Sequence, residues 1–443
     1  MHTLLFLEPG HFHATLTLRE PNPLISPEIF LYASDGPELR DFLALVERFN
    51  ARAERPTRWR PVVVTSGDPL ARLIAERRGE VVVLAGRNGG KARTFRRLHE
   101  AGFHVLADKP WLVEPEDLAD VRASLAGWPL VVEIVTGRHD VAARLFTRLV
   151  DSRELFGDFR ADGPALELAS VHHIEKLVDG VPLRRPPWYF DVRVQGGGAV
   201  DITTHVVDQT QWLFEGRGDA PVETRLDAAR EWATPVALEA FARITGETEF
   251  PPELRGCVHG GVLDYFCNAE LAYRIGGVAA RAAVSWNVST PPGGGDTSVT
   301  VARGMHAEVL MERAAHTGYR RTLLVQPHDV AERVLIDLVA AINADLPGVG
   351  IAPADAGRYE VTIPPALDTG HESHFARVLD EFLRLIDEHD WSAALAERTL
   401  AKYTLLAAAA ARVRDDASRS ASDDARITSM NAATPITEKA SGS

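Results

Sequence analysis

EVVVLAGRNGGKARTFRRLHEAGFHVLADKPW, residues 80–111, decides the reading of the fold. Residues 80–85 form a short apolar run, 91–101 space their apolar side chains at helical period, and 104–107 form a second apolar run. Strand, helix and strand in so little sequence make a crossover unit with parallel strands. The same rhythm extends outward. Further strands are predicted at 3–7, 28–32, 61–65 and 130–135, with helices at 14–19, 37–53, 69–78 and 114–126. Asp68 before Pro69 supplies an N-cap followed by proline at the first helical position. A sheet of this kind, covered by helices on both faces, is doubly wound, and its ligands bind beyond the carboxyl ends of the strands.

Past Gly137 the pattern changes. A helix at 140–150 precedes strands at 156–160 and 165–171, a Pro-rich loop, VPLRRPPWYFDVRVQGGG (181–198), and a helix starting near Val200. Alternating apolar residues predict antiparallel strands within 262–287, 297–311 and 321–326. Helices at 372–388 and 391–413 close the fold. From Arg414 onward Ser, Asp and Ala follow no period, and a disordered tail is expected. The boundaries are therefore 1–136, 137–413 and 414–443.

A chain of 443 residues with 45% hydrophobic and 25% charged side chains has material for two cores. Its net charge of −14 repels polyanions, which excludes nucleic acid as a partner. Two cysteines, Cys257 and Cys267, make no disulfide framework or metal knuckle. The opening MHTLLFLEPGHFHATL lacks a basic leader and its apolar run is too short to span a bilayer, so a cytoplasmic protein without a membrane partner is expected.

Only five of the 48 basic residues are lysines: 91, 109, 176, 402 and 439. A chain so biased toward arginine should keep lysine where a proton must be released near neutral pH. Lys91, Lys402 and Lys439 read as surface residues of helices or tail. Lys109 follows a strand at the crevice edge and precedes Pro110, so its ammonium points to a functional role. In GGGAVDITTHVVDQTQWLF (196–214), three glycines permit close approach of a ligand, and Asp201 and His205, four apart, share a helical face where the carboxylate orients the imidazole. Oxidation of a secondary alcohol needs a base and a cation to steady the alkoxide; His205 and Lys109 fit these roles.

The first strand runs into LEPGHFHAT, where a dinucleotide-binding turn carries Gly-x-Gly-x-x-Gly. Here only Gly10 is a glycine; Glu8 and His13 stand in the other two places. Ser34 and Asp35 lie where an acidic residue takes a ribose, which favours NAD without excluding NADP. His11 and His13 flank one residue and can both reach one metal ion, the alternative reading of a metal-dependent hydrolase; no metal is assigned. His172, His173, Lys176, Arg185 and Trp188 mix cations with an aromatic face suited to a sugar. In GHESHF (370–375), His371 and His374 are three apart, which is not the His-Glu-x-x-His zinc spacing and reads as a helix start near the site.

VLADKPW with GGGAVDITTHVVDQTQWLF resembles the Gfo/Idh/MocA oxidoreductases over residues 1–412. The stretches LEPGHFHA, SVHHIEKLVDGVPLRRPPWYFDV and GHESHF resemble a branch with its own putative-oxidoreductase carboxy-terminal domain. The resemblance implies an α/β protein: an N-terminal Rossmann-type doubly wound parallel sheet plus a C-terminal α+β domain with a large open, mainly antiparallel sheet. It implies Lys109, Asp201 and His205 as catalytic residues. Gly10, His11, Phe12, His13, Ser34, Asp35, Gly86, Asn88 and Asp108 would bind NAD(P), Asp108 replacing the usual glutamate beside the nicotinamide ribose. The expected substrate is a hydroxyl of a sugar, glycoside or polyol, and the expected assembly a dimer or tetramer. A redox-neutral glycosidase working by transient oxidation and a non-catalytic sugar or NAD sensor are the other implied readings.

Overall fold

The computed structural model describes residues 1–178, 181–215 and 223–432. Strands β1 (Leu4–Leu7), β2 (Glu28–Tyr32), β3 (Arg60–Val64), β4 (Val81–Leu84), β5 (His104–Asp108) and β6 (Val131–Ile134) pair in the order β3-β2-β1-β4-β5-β6, all parallel. β1, β4 and β5 are buried along their whole length, as apolar runs covered on both faces must be. Asp68 caps its helix as read, accepting from Ala71 N at 2.9 Å.

The first connection departs from expectation. The helix after β1 is one turn long, His13–Leu16. Its place against the sheet is taken by a helix from the far end of the chain, His374–Asp387. Phe375, Leu379, Phe382 and Leu383 of that helix are buried with Leu4, Phe6 and Leu106. Each such side chain contributes about 1.5–3 kcal/mol when fully buried. The last helix, Ala393–Ala432, packs on the opposite face, where Tyr403 stacks on Trp111 at 5.4 Å and accepts from Trp111 N at 3.0 Å. Residues 1–136 therefore do not close their core alone.

A ten-stranded sheet forms the second half, in the order Thr224–Ala237, Val262–Ile275, Val278–Asn287, Leu166–His173, Thr297–Arg303, Ala307–Arg313, Arg321–Pro327, Tyr359–Thr362, Gly350–Pro353, with the short strand Val258–His259 beside the second. All pairs are antiparallel except Leu166–His173 with Val278–Asn287. Among the described residues no helix is long and apolar enough to cross a membrane. Cys257 and Cys267 are free thiols.

Two local expectations are corrected. Residues 156–160 do not form a strand: Arg153–Phe156 is a helical turn, and only Phe159 bridges to Gly304. Order does not stop at Arg414, since the last helix continues to Ala432. No glycine or proline interrupts 393–432, alanine favours helix throughout, and Arg414 pairs with Glu114 at 3.1 Å and Glu116 at 2.7 Å. Residues 433–443, with Lys439, lie outside the described residues.

Candidate active site

A cavity of about 1310 Å³ lies between the two sheets, beyond the carboxyl ends of β1, β5 and β6. Lys109, Asp201 and His205 all line it, so the front and back halves of the chain do converge on one space. Lys109 stands one residue past β5, 6% exposed, with Nζ 2.5 Å from Asp201 Oδ1. The two groups form a short ion pair shielded from water. Asp201 thus binds the lysine and makes no hydrogen bond to His205, contrary to the sequence reading. The cause is local: the helix starts at Thr203, so Asp201 lies in the preceding turn rather than one helical step behind His205. Burial, and next the Lys109 charge, hold the His205 imidazole well below its usual range. At neutral pH it is uncharged and has no hydrogen-bond partner among the described residues, the state of a general base.

The three glycines position this turn against protein rather than ligand. A Cβ at Gly198 would lie 2.4 Å from Asn268 C, and one at Gly197 would lie 2.4 Å from Glu231 Oε1. Glu231 accepts from Ala199 N at 2.9 Å, and burial raises its pKa to about 7.

At the floor of the cavity, His11, His13 and Asp108 meet. His13 Nδ1 is 3.0 Å and His11 Nδ1 3.4 Å from the same oxygen, Asp108 Oδ2. Phe12 lines the cavity beside them, and Phe375 packs on the His13 ring at 4.4 Å. Burial lowers both imidazoles, His13 to about 3. Asp108 lies well below the carboxylate range; burial alone would raise it, and the two histidines outweigh that.

The substrate-side residues divide. His172, Lys176 and Arg185 line the cavity with Tyr189 and Trp286. Arg185 donates to Ile174 O at 2.9 Å and lies over Tyr189 at 4.2 Å. Asp296, which the sequence did not single out, gathers His173 at 3.1 Å, Lys176 at 2.7 Å and His172 at 3.6 Å. His173 is buried behind the wall and serves that cluster. His371 lines the rim and meets Thr136 Oγ1 at 3.1 Å, as a helix start near the site should. Trp188 turns away from the cavity altogether.

Two lysines read as surface residues are buried. Lys91 donates to Asp108 O at 2.8 Å, and burial lowers its pKa to about 8. Lys402 bonds Glu133 Oε2 and, at 2.9 Å, Asp208 Oδ1. Asp208 also takes Arg138 at 3.0 Å. The scarcity of lysine was the available signal; long-range ion pairing was the part that spacing could not show.

The family model described as "Putative oxidoreductase C terminal domain" matches residues 145–413. A solved "putative oxidoreductase" from Parabacteroides merdae is 32% identical, with 94% of this chain and 98% of that chain covered and a TM-score of 0.88. The chain belongs to the Gfo/Idh/MocA oxidoreductases. More distant folds of the same kind include levoglucosan dehydrogenase in complex with NADH and levoglucosan (16% identity, 93% and 98% covered, TM-score 0.60). Another is GenD2 from gentamicin A biosynthesis in complex with NAD (13%, 94% and 95%, TM-score 0.56). No protein of curated function matches by sequence.

NAD is the cofactor that the Gfo/Idh/MocA fold implies, and part of its expected groove is lined by side chains that bond to one another. Trp188 Cζ2 would stand 3.5 Å from a Cβ on Gly10, and its Nε1 donates to Glu38 Oε1 at 3.0 Å. Arg87 covers that indole at 5.6 Å. The Gly10 backbone, where a pyrophosphate would pass, is thus covered by the chain's own side chains. Glu8 holds the first-glycine position at φ +43° and accepts from Ser34 N at 3.1 Å and Ser34 Oγ at 2.8 Å, filling the ribose corner. Asp35 is exposed and faces Arg40 at 3.5 Å. His11 N bonds Ala85 O at 3.1 Å, and a Cβ on Gly86 would lie 2.3 Å from Glu8 O, so the loops after β1 and β4 are closed on each other. Asn88 Nδ2 donates to Gln195 O at 2.6 Å. A one-turn helix also provides a weaker anion site than the long one usual there. Of the nine expected cofactor residues, His11, Phe12, His13 and Asp108 face the cavity; Gly10, Ser34, Asp35, Gly86 and Asn88 are engaged elsewhere.

Proposed function

We propose that this chain is an enzyme acting on a carbohydrate by proton transfer at a carbon next to a carbonyl. The observation that carries it is one cavity holding a neutral, unpartnered imidazole, His205, and a clamped ammonium, Lys109. His205 takes the proton from carbon; the electron pair moves into the carbon–carbon bond, and Lys109 stabilises the oxyanion left on the former carbonyl oxygen. Return of the proton to either face, or departure of a leaving group, completes the turnover. Asp201 fixes the Lys109 ammonium. Tyr189 and Trp286 offer flat faces for a sugar ring, with Arg185, Lys176 and His172 for its hydroxyls. Net dehydrogenation and the redox-neutral glycosidase route both need a dinucleotide lying along the Gly10 turn, where Trp188 stands, so no step is routed through it.

The test is exchange in deuterium oxide, followed by NMR on a panel of aldoses, ketoses and keto-glycosides without added nucleotide. Deuterium should enter beside the carbonyl of the accepted sugar, and Lys109→Met and His205→Gln should each slow exchange at least 100-fold with thermal unfolding unchanged. Wild-type exchange rates in either variant, or no exchange across the panel, removes the reading and leaves a binding protein.

A further inference from the structure

We infer that His11, His13 and Asp108 form a binding site for one divalent first-row transition-metal ion, open toward the cavity. Their ligand-capable atoms all lie within 4.8 Å of one another. In a tetrahedral site with bonds of about 2.0–2.1 Å, neighbouring ligand atoms stand roughly 3.3 Å apart. The two histidine nitrogens lie 3.0 and 3.4 Å from Asp108 Oδ2, the first in a hydrogen bond, and both distances are close to that spacing.

Three further observations agree. Among the described residues, Asp108 Oδ1 and His11 Nδ1 are buried with no hydrogen-bond partner, and the Asp108 side chain is only 5% exposed. A carboxylate oxygen left so costs the fold free energy unless something else satisfies it, and a cation does. Second, His11, His13 and Asp108 all line the cavity, so an ion held among them is reached from it. Third, the neighbouring Lys109 charge is balanced by Asp201, so the cavity tolerates an added cation. Phe375 on the His13 ring and the pairing of the β1 and β4 loops hold the ligands in place.

Three protein ligands with an open position are the arrangement of a catalytic rather than a structural ion. Sets of two histidines and one carboxylate take zinc, manganese or iron(II). That the open position receives a carbohydrate oxygen rests on the function proposed above; the ion site itself does not. Bound there, the ion supplies Lewis acidity beside Lys109 and His205.

The full-length chain is stripped with chelator, dialysed, and titrated with Zn²⁺ by calorimetry and with Co²⁺ by visible absorption. One ion per chain is expected, with cobalt bands of a low-coordinate nitrogen–oxygen site. His13→Ala and Asp108→Asn should each weaken Zn²⁺ binding at least 100-fold and abolish the bands, with circular dichroism checking the fold. Lys109→Met should bind Zn²⁺ as the parent does while losing turnover. No binding by the parent chain to either ion overturns the site, as does stoichiometric binding that survives in both ligand variants. Metal bound without deuterium exchange would leave the site standing and remove the proton-transfer reading; exchange by the stripped protein, unchanged by zinc, would do the reverse.

Discussion

Replacing Lys402 by Met isolates the tie between the two halves of the molecule. Glu133 comes from β6, Asp208 from the helix Thr203–Glu215 and Lys402 from the last helix, and all three are buried. Lys402 bonds both carboxylates, while Arg138 secures Asp208 and the Tyr403 hydroxyl donates to Glu133. Without the ammonium, Asp208 keeps a full counter-charge and Glu133 keeps a single neutral donor. Removing one partner of a buried pair costs about 3–5 kcal/mol, a large share of a typical stability of about 5–15 kcal/mol. The sign with pH follows from Glu133. Burial, the largest influence, already raises its pKa above the usual carboxylate value, and losing Lys402 raises it further. A folded-state pKa above the unfolded one gives stability that is present at low pH and lost as pH rises through it. The deficit of Lys402→Met should therefore be largest near pH 8 and shrink toward pH 5.5, and Glu133→Gln added to it should recover part of the loss. Urea unfolding at those two pH values measures both effects. A deficit below about 1 kcal/mol, or one that does not narrow on acidification, would refute the assignment of Glu133 as the stranded charge.

Other outcomes follow from the same structure. Burial holds His13 at about 3 and His104 and His374 at about 4, below an unfolded value near 6.5, so the unfolded chain binds more protons and stability falls as pH drops below 6.5; acid titration of the unfolding midpoint checks it, and a flat profile from pH 6.5 to 5 contradicts it. NAD at 1 mM should leave the thermal midpoint unmoved, because Trp188 covers Gly10; a clear rise would show that the groove opens. Gly198→Ala should destabilise by several kcal/mol, as its Cβ would meet Asn268 backbone at 2.4 Å; wild-type stability would mean that the loop shifts freely. The acid limb of the exchange rate should lie below pH 6.5, since His205 is already neutral there; a limb at pH 7 or above would point to another base.

The front sheet was legible because β1, β4 and β5 are uninterrupted apolar runs buried on both faces, and Lys109 because it follows such a run directly. The strand Thr224–Ala237 was not: it is an edge strand, its register shifts at Leu226/Ala228 and Trp232/Thr234, and TRLDAAREWATPVA carries charges where alternation would be sought. The helices Leu238–Thr245 and Glu332–Asp345 were also missed. Lys109, His205, His172, Lys176 and Arg185 meet in one cavity as their motifs suggested. The Asp201 to Lys109 bond, the turn of Trp188 toward Gly10 and the burial of Lys91 and Lys402 depend on partners on average more than a hundred residues away, which no local period records.

Trp188 has one further consequence. Its ring joins the Pro-rich loop of the second half to the turn after β1, so a nucleotide entering beside Gly10 would have to displace the indole and break its bond to Glu38.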